Sequence, residues 1–442
     1  MKGINAKDLK KFEKQYESNK VNKVMANVLA NNNLVESIRN TEYKLYDQYN
    51  FEIHIPTMPV TNQKSSGRCW IFAAMNVLRE IVAKKCNIKE FELSQSYFAF
   101  WDKLEKVNYK LESVLQLCDR DADDRTLSCI LGEGIQDGGQ WDMFVNIVQK
   151  YGIVPKSVMD ETYQTSNTRE TNAVIAASIR KFAAHASKLV REGKLDEAKK
   201  EKEEVLGKMY NLLCMAYGKP VEMFDFEYTD KDDKYHLDKA LTPKAFYDKY
   251  VGTVLDDYVS VVNAPTKDKP FYHLLTVNYV GNVCDGKKIS YINLPIEELK
   301  DLVLKQLKDG ELVWFGSDVS RYGDRSTGIW DDAAYDYEAM LGIDIHMDKA
   351  DMLDYKQSSM DHAMVITGVA FKDGKPRKWK IENSWGPTAG NNGYYMMSDS
   401  WFDQFVYQAV INKKYLTKKQ LDVLKQKPIE LNPWDPMGTL AD

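Results

Sequence analysis

Cys69 is the first residue of this chain whose type and setting could perform chemistry. It lies in SSGRCWIFAAMNVLRE, residues 65–80, where small and polar residues give way to an apolar helical pattern at Trp70. The N-terminus of a helix carries free N–H groups and the positive end of the helix dipole, and both stabilise a thiolate. Gly67 has no side chain and would let a substrate backbone come close. Since a lone cysteine at a helix start is more often buried and inert, this stretch alone decides nothing.

A histidine and an asparagine far along the chain could complete such a site. His362 precedes the apolar run AMVITGVAF, after which the chain turns near Asp373 and Gly374 and returns as a strand ending at Asn383. If the two strands pair antiparallel about that turn, His362 lies opposite a residue near 385. The Asn383 carboxamide could then hold the imidazole in one tautomer while the other ring nitrogen pairs with a thiolate. Taken singly, each residue is more typical of an ordinary strand end or turn.

Two amides lie shortly before the cysteine. Gln63 is six residues before Cys69, and Asn62 is adjacent to it and chemically similar. Either side chain, together with the backbone N–H of Cys69, could donate hydrogen bonds to the oxyanion of a tetrahedral intermediate. Residue type does not choose between them, and simple solvation of a polar loop residue is the plain alternative.

The surrounding sequence predicts the helices and strands that must position these residues. Apolar residues spaced at three and four predict a helix over 70–85, and Ser94 is a suitable N-cap for a second helix over 93–115. Residues 1–50 suggest an amphipathic helical arm, and the last fifteen residues suggest an extended tail without a helix or strand. Further helices are predicted over 140–151 and 294–310, and strands at 311–319, 362–371, 377–383 and 393–399.

Composition limits the classes of function. The chain has 442 residues and a formal net charge of -5, which does not support the basic face typical of nucleic-acid binding. No apolar run reaches the roughly 20 residues needed to cross a bilayer, and the charged N-terminal stretch does not resemble a signal peptide. The six cysteines form no CxxC pair and are expected to be reduced thiols. These features predict a cytoplasmic protein.

Other chemistries find little support. The glycine-rich stretch GEGIQDGG lacks the GK[ST] of a phosphate loop, and the histidines show neither HExxH nor zinc-ligand spacing. We therefore expect no metal and no cofactor. A redox role for Cys69 is the nearest enzymatic alternative, but Cys86 lies about 25 Å along the predicted helix at ~1.5 Å per residue.

The motifs QKSSGRCWIFA, DHAMVITG and ENSWG together resemble those of the papain-like cysteine peptidases. LSQSYFAFWDKLEK, DGGQWDMF, VWFGSDV and PWDPMGTLAD extend the resemblance over the whole chain, to the cytosolic branch that comprises bleomycin hydrolase and bacterial aminopeptidase C. The papain signature C-G-[SA]-C-[WY] is met only in part, because Ser66 and Arg68 replace two of its residues. His362 also follows Cys69 by 293 residues, against about 130–150 in papain, and the block at 156–295 supplies the excess. Both departures are typical of the cytosolic branch.

The resemblance implies a role for each candidate residue. Cys69 would be the nucleophile, His362 the general base and acid, and Asn383 the amide that orients the imidazole. Gln63 rather than Asn62 would donate to the oxyanion. Trp385 would shield the His–Asn hydrogen bond, although by itself it is equally typical of an ordinary core or loop aromatic. The remaining residues implied to contact substrate are Gly138, Gly139, Asp361, Ala441 and Asp442.

The same resemblance implies an α+β papain-like fold, with a helical left domain, an antiparallel β right domain and a large, mostly helical insertion between arms at both ends. We expect a cysteine aminopeptidase that hydrolyses the N-terminal residues of peptides through an acyl-enzyme, formed by attack of a Cys69 thiolate paired with protonated His362. An inactive ring-forming scaffold and a thiol redox enzyme are the alternatives. The expected segments are an N-terminal helical arm at 1–50, a helical subdomain with the nucleophile at 51–155, an insertion or oligomerisation domain at 156–295, a β subdomain with His362 and Asn383 at 296–415, and a C-terminal arm and tail at 416–442.

The cytosolic branch further implies a ring-shaped homohexamer whose C-terminal tail lies in the active-site cleft. A tail that blocks one side of the cleft excludes long chains, and its carboxylate would attract the N-terminal ammonium of a peptide. The functional tail in this branch resembles one that ends at the equivalent of Ala441. We therefore hypothesise that the enzyme removes Asp442 from its own tail.

Overall fold

The computed structural model describes residues 1–40, 42 and 48–441. Helices form where apolar residues recur at helical spacing behind a capping side chain, as at Ser94, whose hydroxyl oxygen accepts the Tyr97 N–H. The helices are α1 (Ala6–Ser18), α2 (Lys20–Leu29), α3 (Leu34–Ser37), α4 (Cys69–Cys86), α5 (Gln95–Leu117), α6 (Arg125–Glu133), α7 (Trp141–Tyr151), α8 (Tyr163–Ser166), α9 (Arg169–Arg191), α10 (Leu195–Tyr217), α11 (Pro243–Tyr250), α12 (Ile296–Lys308), α13 (Tyr337–Leu341), α14 (Lys349–Asp354), α15 (Asp399–Phe405) and α16 (Lys418–Val423).

The strands lie mostly in the second half of the chain. They are β1 (Ile53–His54), β2 (Phe224–Thr229), β3 (Tyr235–Leu241), β4 (Tyr258–Val262), β5 (Leu274–Val277), β6 (Tyr291–Asn293), β7 (Val313–Ser317), β8 (Gly323–Asp324), β9 (Ile329–Trp330), β10 (His362–Lys372), β11 (Lys375–Glu382), β12 (Tyr394–Ser398), β13 (Val406–Asn412) and β14 (Ile429–Leu431).

One large sheet carries the second half of the molecule. Its strand order is β14-β5-β6-β4-β13-β7-β10-β11-β12-β9-β8, and β1 pairs with β10 in addition. The central strands from β4 through β13, β7, β10 and β11 to β12 pair antiparallel. Parallel pairs occur towards the edges, between β4 and β6, β5 and β14, and β9 and β12. The strands β2 and β3 form a separate hairpin.

Helix α4 connects the helical half to this sheet. Most of its side chains are buried, from Cys69 to Cys86, which is the pattern of a helix enclosed by other elements. It packs against β10 on one side and α5 and α7 on the other. The indole N–H of Trp314 on β7 donates to the carbonyl oxygen of Trp70 at 3.2 Å. The first turn of α4 is therefore fixed against the sheet.

Two apolar cores follow this division. The larger core joins α4, α5, α7 and α9 and includes Trp70, Phe98 and Phe144, whose rings stack or meet edge to face. The second core lies between the sheet and helices α12 and α15, around Trp379 and Phe402. Helices α9 and α10 pack on each other and on α5. The result is a helical unit against a mainly antiparallel sheet, the α+β arrangement predicted from the sequence.

Most of the predicted elements match the structure. The helices predicted at 70–85, 93–115, 140–151 and 294–310 are α4, α5, α7 and α12, and the four predicted strands are β7, β10, β11 and β12. The C-terminal prediction is wrong in part, because the last fifteen residues include β14 and a 3-10 helix at Pro436–Ala441. Strand β14 forms because its backbone pairs with β5 in parallel, a partner that no local pattern reveals.

Candidate active site

Cys69 is the first residue of α4, where the apolar helical pattern begins. Its Sγ receives backbone N–H groups of Trp70 and of Ala363, the first residue after His362. The thiol therefore lies beside the start of β10, across the junction of the helical unit and the sheet. Only 4% of Cys69 is exposed. Both N–H donors favour negative charge on sulfur.

His362 and Asn383 meet at neighbouring strand ends. The observed register pairs Val365 with Glu382, so the antiparallel pairing predicted from the sequence is present. The Ser384 N–H donates to Asn383 Oδ1 at 2.7 Å, and His362 Nε2 lies 2.9 Å from the same atom. Because an oxygen that accepts the Ser384 N–H is a carbonyl oxygen, His362 Nε2 must be the donor. In neutral His362 the lone pair is therefore on Nδ1, the nitrogen available to accept a proton from sulfur.

An aromatic ring and a cation cover the imidazole. Trp385 stacks on His362 with the ring centroids 4.7 Å apart. The guanidinium carbon of Arg325 lies 4.3 Å from the centroid of Trp385. The indole covers one face of His362 and separates its hydrogen bond to Asn383 from solvent.

Burial dominates the electrostatics of the two reacting groups. It raises the pKa of the Cys69 thiol to about 12, although backbone N–H groups of Ala363 and Trp70 act in the opposite direction. Burial also lowers the pKa of His362 to about 4, opposed by the hydrogen bond to Asn383 and reinforced by the charge of Arg325. The sequence argument expects the helix start to stabilise a thiolate, whereas in this closed cleft the loss of hydration outweighs the helix dipole. Burial thus favours the neutral form of each group taken singly.

The two candidate amides, Gln63 and Asn62, differ in burial and in their hydrogen bonds. Gln63 is buried; its Nε2 donates to the Ser66 carbonyl at 2.7 Å, and its Oε1 accepts from the Ser384 hydroxyl at 2.7 Å. Asn62 is partly exposed, and its Oδ1 accepts the Lys64 N–H at 2.9 Å. The second N–H of Gln63 has no acceptor within the described part of the chain. Gln63 is thus held on both sides by hydrogen bonds and is the more buried of the two amides.

Gly138 and Gly139 lie just before α7, beside Trp70 of α4. A Cβ atom added at Gly139 would lie 2.5 Å from the ring of Trp70, so only glycine fits there. The Asp137 carboxylate, next to this pair, accepts the Gly67 N–H at 3.0 Å and pairs with Lys103 at 2.7 Å. Asp137 thus ties the glycine pair to the loop that carries Cys69.

The C-terminal tail segment, residues 436–441, lies in the cleft. The Gly139 N–H donates to the Leu440 carbonyl at 2.9 Å, so the tail occupies the backbone donor of the glycine pair. The Thr439 hydroxyl donates to the carbonyl of Met360, two residues before His362, and Leu440 is only 3% exposed. Ala441 lies beside this wall, near Ile135 and Gln136. The prediction for Asp442 falls outside the described residues.

Asp361 lies beside His362 at the mouth of β10. Its Oδ1 accepts the Val319 N–H at 2.9 Å. Loss of hydration and the neighbouring Asp318 carboxylate raise the pKa of Asp361 to about 7. This carboxyl group belongs to the residue directly before His362, and its hydrogen bond goes to the Val319 backbone.

Three residues of this region are absent from the sequence prediction: Asp137, Glu161 and Arg325. Asp137 could have been inferred, because an acidic residue directly before a glycine pair often fixes the loop backbone. Glu161 forms two hydrogen bonds with buried Arg68, at 3.0 and 2.7 Å, which accounts for the arginine that departs from the papain pattern. Arg325 and Trp385 are far apart in sequence and come together only in the folded chain. No local sequence pattern therefore predicts their contact.

Two further findings concern the alternatives. Within residues 1–40, 42 and 48–441, no cluster of three histidine, cysteine or acidic side chains could hold a metal ion. Cys86 ends α4 and Cys69 begins it, so the helix separates the two thiols. The helices that the structure describes include none long and apolar enough to span a membrane.

Comparison with known proteins places this site in a family context. The sequence pattern of the Peptidase C1-like family matches residues 3–438. The chain is 47% identical to aminopeptidase C of Lactobacillus delbrueckii subsp. lactis over 95% of this chain and 94% of that protein. It is 46% identical to aminopeptidase C of Lactobacillus helveticus over 100% and 99%. The crystal structure of PepW from Lactobacillus rhamnosis HN001 superimposes with a TM-score of 0.96, at 47% identity and 99% coverage of both chains.

Proposed function

The chain belongs to the Peptidase C1-like family and is a papain-like cysteine aminopeptidase, and we propose that Cys69, His362, Asn383 and Gln63 carry out its acyl transfer. One observation supports the whole proposal. The tail segment occupies the Gly139 backbone donor in the same cleft that brings the Cys69 thiol to the start of β10. The proposed nucleophile Cys69, the proposed base His362 and the tail segment therefore lie along one groove.

The mechanism begins from the neutral pair. His362 Nδ1 accepts the proton of the Cys69 thiol as Sγ attacks the carbonyl carbon of the N-terminal residue, so the separated charges form only beside each other. Asn383 Oδ1 accepts the hydrogen bond of His362 Nε2–H, which leaves His362 Nδ1 for the sulfur of Cys69. Imidazolium then gives its proton to the departing amine, and the C–N bond breaks. Water, deprotonated by His362, hydrolyses the thioester and restores the thiol.

The oxyanion of the tetrahedral intermediate needs two donors. The free N–H of Gln63 and the backbone N–H of Cys69, an unpaired donor at the start of α4, supply them. We assign this role to Gln63 and not to Asn62, because Asn62 Oδ1 binds the Lys64 backbone and the Asn62 side chain is partly exposed.

The tail segment makes the enzyme an aminopeptidase. With the Gly139 donor occupied by Leu440, the cleft accepts one substrate residue before the scissile bond and no more. A free carboxylate at the end of the tail would attract the N-terminal ammonium of the substrate. The remaining substrate contacts fall to Gly138, Asp361 and Trp385.

A pair of aminoacyl-amide substrates tests this proposal, one with a free N-terminus and one N-acetylated. Hydrolysis of the free form alone supports the aminopeptidase. Hydrolysis of both forms means an open cleft, and hydrolysis of neither supports the scaffold alternative. Cys69→Ala should abolish turnover, and a normal rate in that variant would exclude Cys69 as the nucleophile.

Removal of Asp442 by the enzyme itself is a separate proposal. A tail ending at Ala441 would place its new carboxylate one residue from Leu440. Intact-mass measurement should show purified wild-type protein lacking Asp442, and the Cys69→Ala variant retaining it. Full-length wild-type chains would contradict the proposal.

We also infer a ring-shaped homohexamer in the cytoplasm, as in the branch that includes bleomycin hydrolase. Helices α1 and α2 bury none of their side chains within this chain, and they leave Leu9, Phe12 and Val24 more than half exposed. Apolar side chains on such an arm favour contact with neighbouring subunits. The five-segment division of the chain, with residues 156–295 as the oligomerisation domain, remains a prediction. Light scattering that gives the mass of a monomer would refute the hexamer.

A further inference from the structure

A cavity of about 670 Å³ opens beside the nucleophile loop, and Gly67 forms part of its lining. We call it the lateral cavity. Its walls are the loop at 64–67, the segment at 132–137 and the first turns of α9. It adjoins the reacting groups, because Gly67 and Asp137 lie two residues from Cys69 and Gly139 respectively.

The lateral cavity borders the loop before Cys69, so a peptide whose first residue lies beside Cys69 would present that side chain to the cavity. Leu440 and the Gly139 N–H close the groove beyond that residue. Gly67 is exposed and has no side chain, so a side chain attached next to the attacked carbonyl can extend over Gly67 into the cavity. The N-terminal ammonium belongs to the backbone of that residue and lies towards the tail.

Cations outnumber carboxylates on the wall of this cavity, three to two. Lys64 and Arg180 form no salt bridge with any residue that the structure describes, and Arg169 is 95% exposed, with Glu170 at 3.9 Å. Arg180 donates to the carbonyls of Leu131 and Gly132, which leaves its charge in place.

The two acidic residues of the wall are already paired. The Glu133 carboxylate lies 3.0 Å from Lys110, and the Asp137 carboxylate lies 2.7 Å from Lys103. Asp137 also turns inward, accepting from Gly67, Thr168 and Asn172. Lys64, Arg169 and Arg180 therefore determine the field in the cavity.

We propose that the lateral cavity selects peptides whose N-terminal residue is glutamate, by placing its carboxylate among Lys64, Arg169 and Arg180. This inference rests on the proposed function, because it takes the first substrate residue to lie directly beside Cys69. The three cations are exposed, so each is expected to contribute a factor of up to about five, the range of exposed ion pairs.

Glutamyl and glutaminyl amides of the same leaving group test the proposal, because their side chains have the same shape and differ in charge. For the wild-type enzyme, kcat/KM should be about tenfold higher for the glutamyl substrate, and raising the salt concentration should reduce that ratio. The double variant Lys64→Gln/Arg169→Gln should lose most of the ratio, because its kcat/KM falls much more for the glutamyl substrate than for the glutaminyl substrate. Lys181→Gln is the matched control, because it removes the same charge from α9 about 18 Å from Arg169 at ~1.5 Å per residue.

Three results would overturn the proposal. A wild-type ratio of one or less would exclude selection by charge. An unchanged ratio in the double variant, or an equal loss in Lys181→Gln, would place any selection elsewhere. Turnover of neither substrate would instead refute the aminopeptidase function, and the lateral cavity proposal with it.

Discussion

At the scale of single residues, the site depends on how two buried groups exchange one proton. Burial favours neutral Cys69 and neutral His362, and the orientation of Asn383 leaves Nδ1 as the acceptor. Separating charge costs least when the proton moves as Sγ attacks, since each new charge then faces its counterpart. The imidazole must therefore be neutral when substrate binds.

The acid limb of the pH profile should report His362. Activity falls as pH drops through the His362 pKa of about 4, because the protonated ring can no longer accept the thiol proton. Arg325→Gln removes a positive charge beside Trp385, so the His362 pKa and the acid limb should both move to higher pH. The measurement is kcat/KM against pH. Lys372→Gln, at the far end of β10, is the control, and an unshifted limb in Arg325→Gln would contradict the assignment.

Gln63→Ala should lower kcat by about 100- to 1,000-fold with little effect on KM, because one oxyanion donor is lost only in the transition state. Asn62→Ala removes the same chemical group from the adjacent position and should change kcat by less than about fivefold. Steady-state kinetics on a free aminoacyl amide compare the two. Equal losses would contradict the assignment of Gln63, rather than Asn62, as the oxyanion donor.

At the scale of elements, Asp137 links three pieces that must stay in register. Its carboxylate joins the Gly67 loop, Lys103 on α5 and Asn172 on α9. Burial would by itself raise the pKa of Asp137, but the Lys103 charge and hydrogen bonds from Lys103, Thr168 and Asn172 hold that pKa well below its usual range. The charged form of Asp137 therefore stabilises the fold.

Asp137→Asn should reduce the free energy of unfolding by about 3 kcal/mol at pH 7, because Lys103 is left buried without its carboxylate. The folded pKa of Asp137 is lower than its unfolded value, so the stabilisation is complete above pH ~4 and diminishes as pH falls below that value. Urea unfolding at pH 7 and at pH 3 should show the difference between wild type and variant shrinking at the lower pH. Asp233→Asn, in an exposed turn, is the control. A difference in the free energy of unfolding between wild type and Asp137→Asn that does not change with pH would contradict a stabilising role for the Asp137 charge.

At the scale of the whole molecule, the end of the chain returns to the cleft formed by its two halves. Tyr291 Oη donates to the Met437 carbonyl, and Thr439 and Leu440 continue to Met360 and Gly139. Access to the nucleophile is thus controlled by a segment far from Cys69 in sequence.

Deleting residues 439–442 should open the cleft while keeping Met437 and its contact with Tyr291. N-acetylated peptides, which we expect the wild-type enzyme to leave intact, should then be cleaved at internal bonds, because the Gly139 N–H is free for substrate. Mass spectrometry of the products locates the bonds cut. Deletion of Asp442 alone is the control and should keep the restriction; blocked peptides that stay intact in the larger deletion would refute the role of the tail.

Local sequence accounts for much of the fold. The spacing of apolar residues places α4, α5, α7 and α12 within a few residues of their observed ends, because packing there agrees with propensity. The antiparallel return at Asp373 and Gly374 was predictable too, and Val365 pairs with Glu382 because two register shifts along the strands, one on each side of Gly368–Ala370, offset each other. Strand β14 escaped prediction because its only partner, β5, lies about 150 residues earlier.

The sequence alone determined the residue types of the site and the strand pairing that brings His362 near Asn383. Only the tertiary structure decided their protonation, because burial of Cys69 is a property of the closed cleft and outweighs the dipole of α4. The same holds for the stack of Arg325 on Trp385, the docking of Leu440 on Gly139 and the positive wall of the lateral cavity. Each joins residues distant in sequence, and long-range packing and electrostatics leave no local pattern from which to infer them.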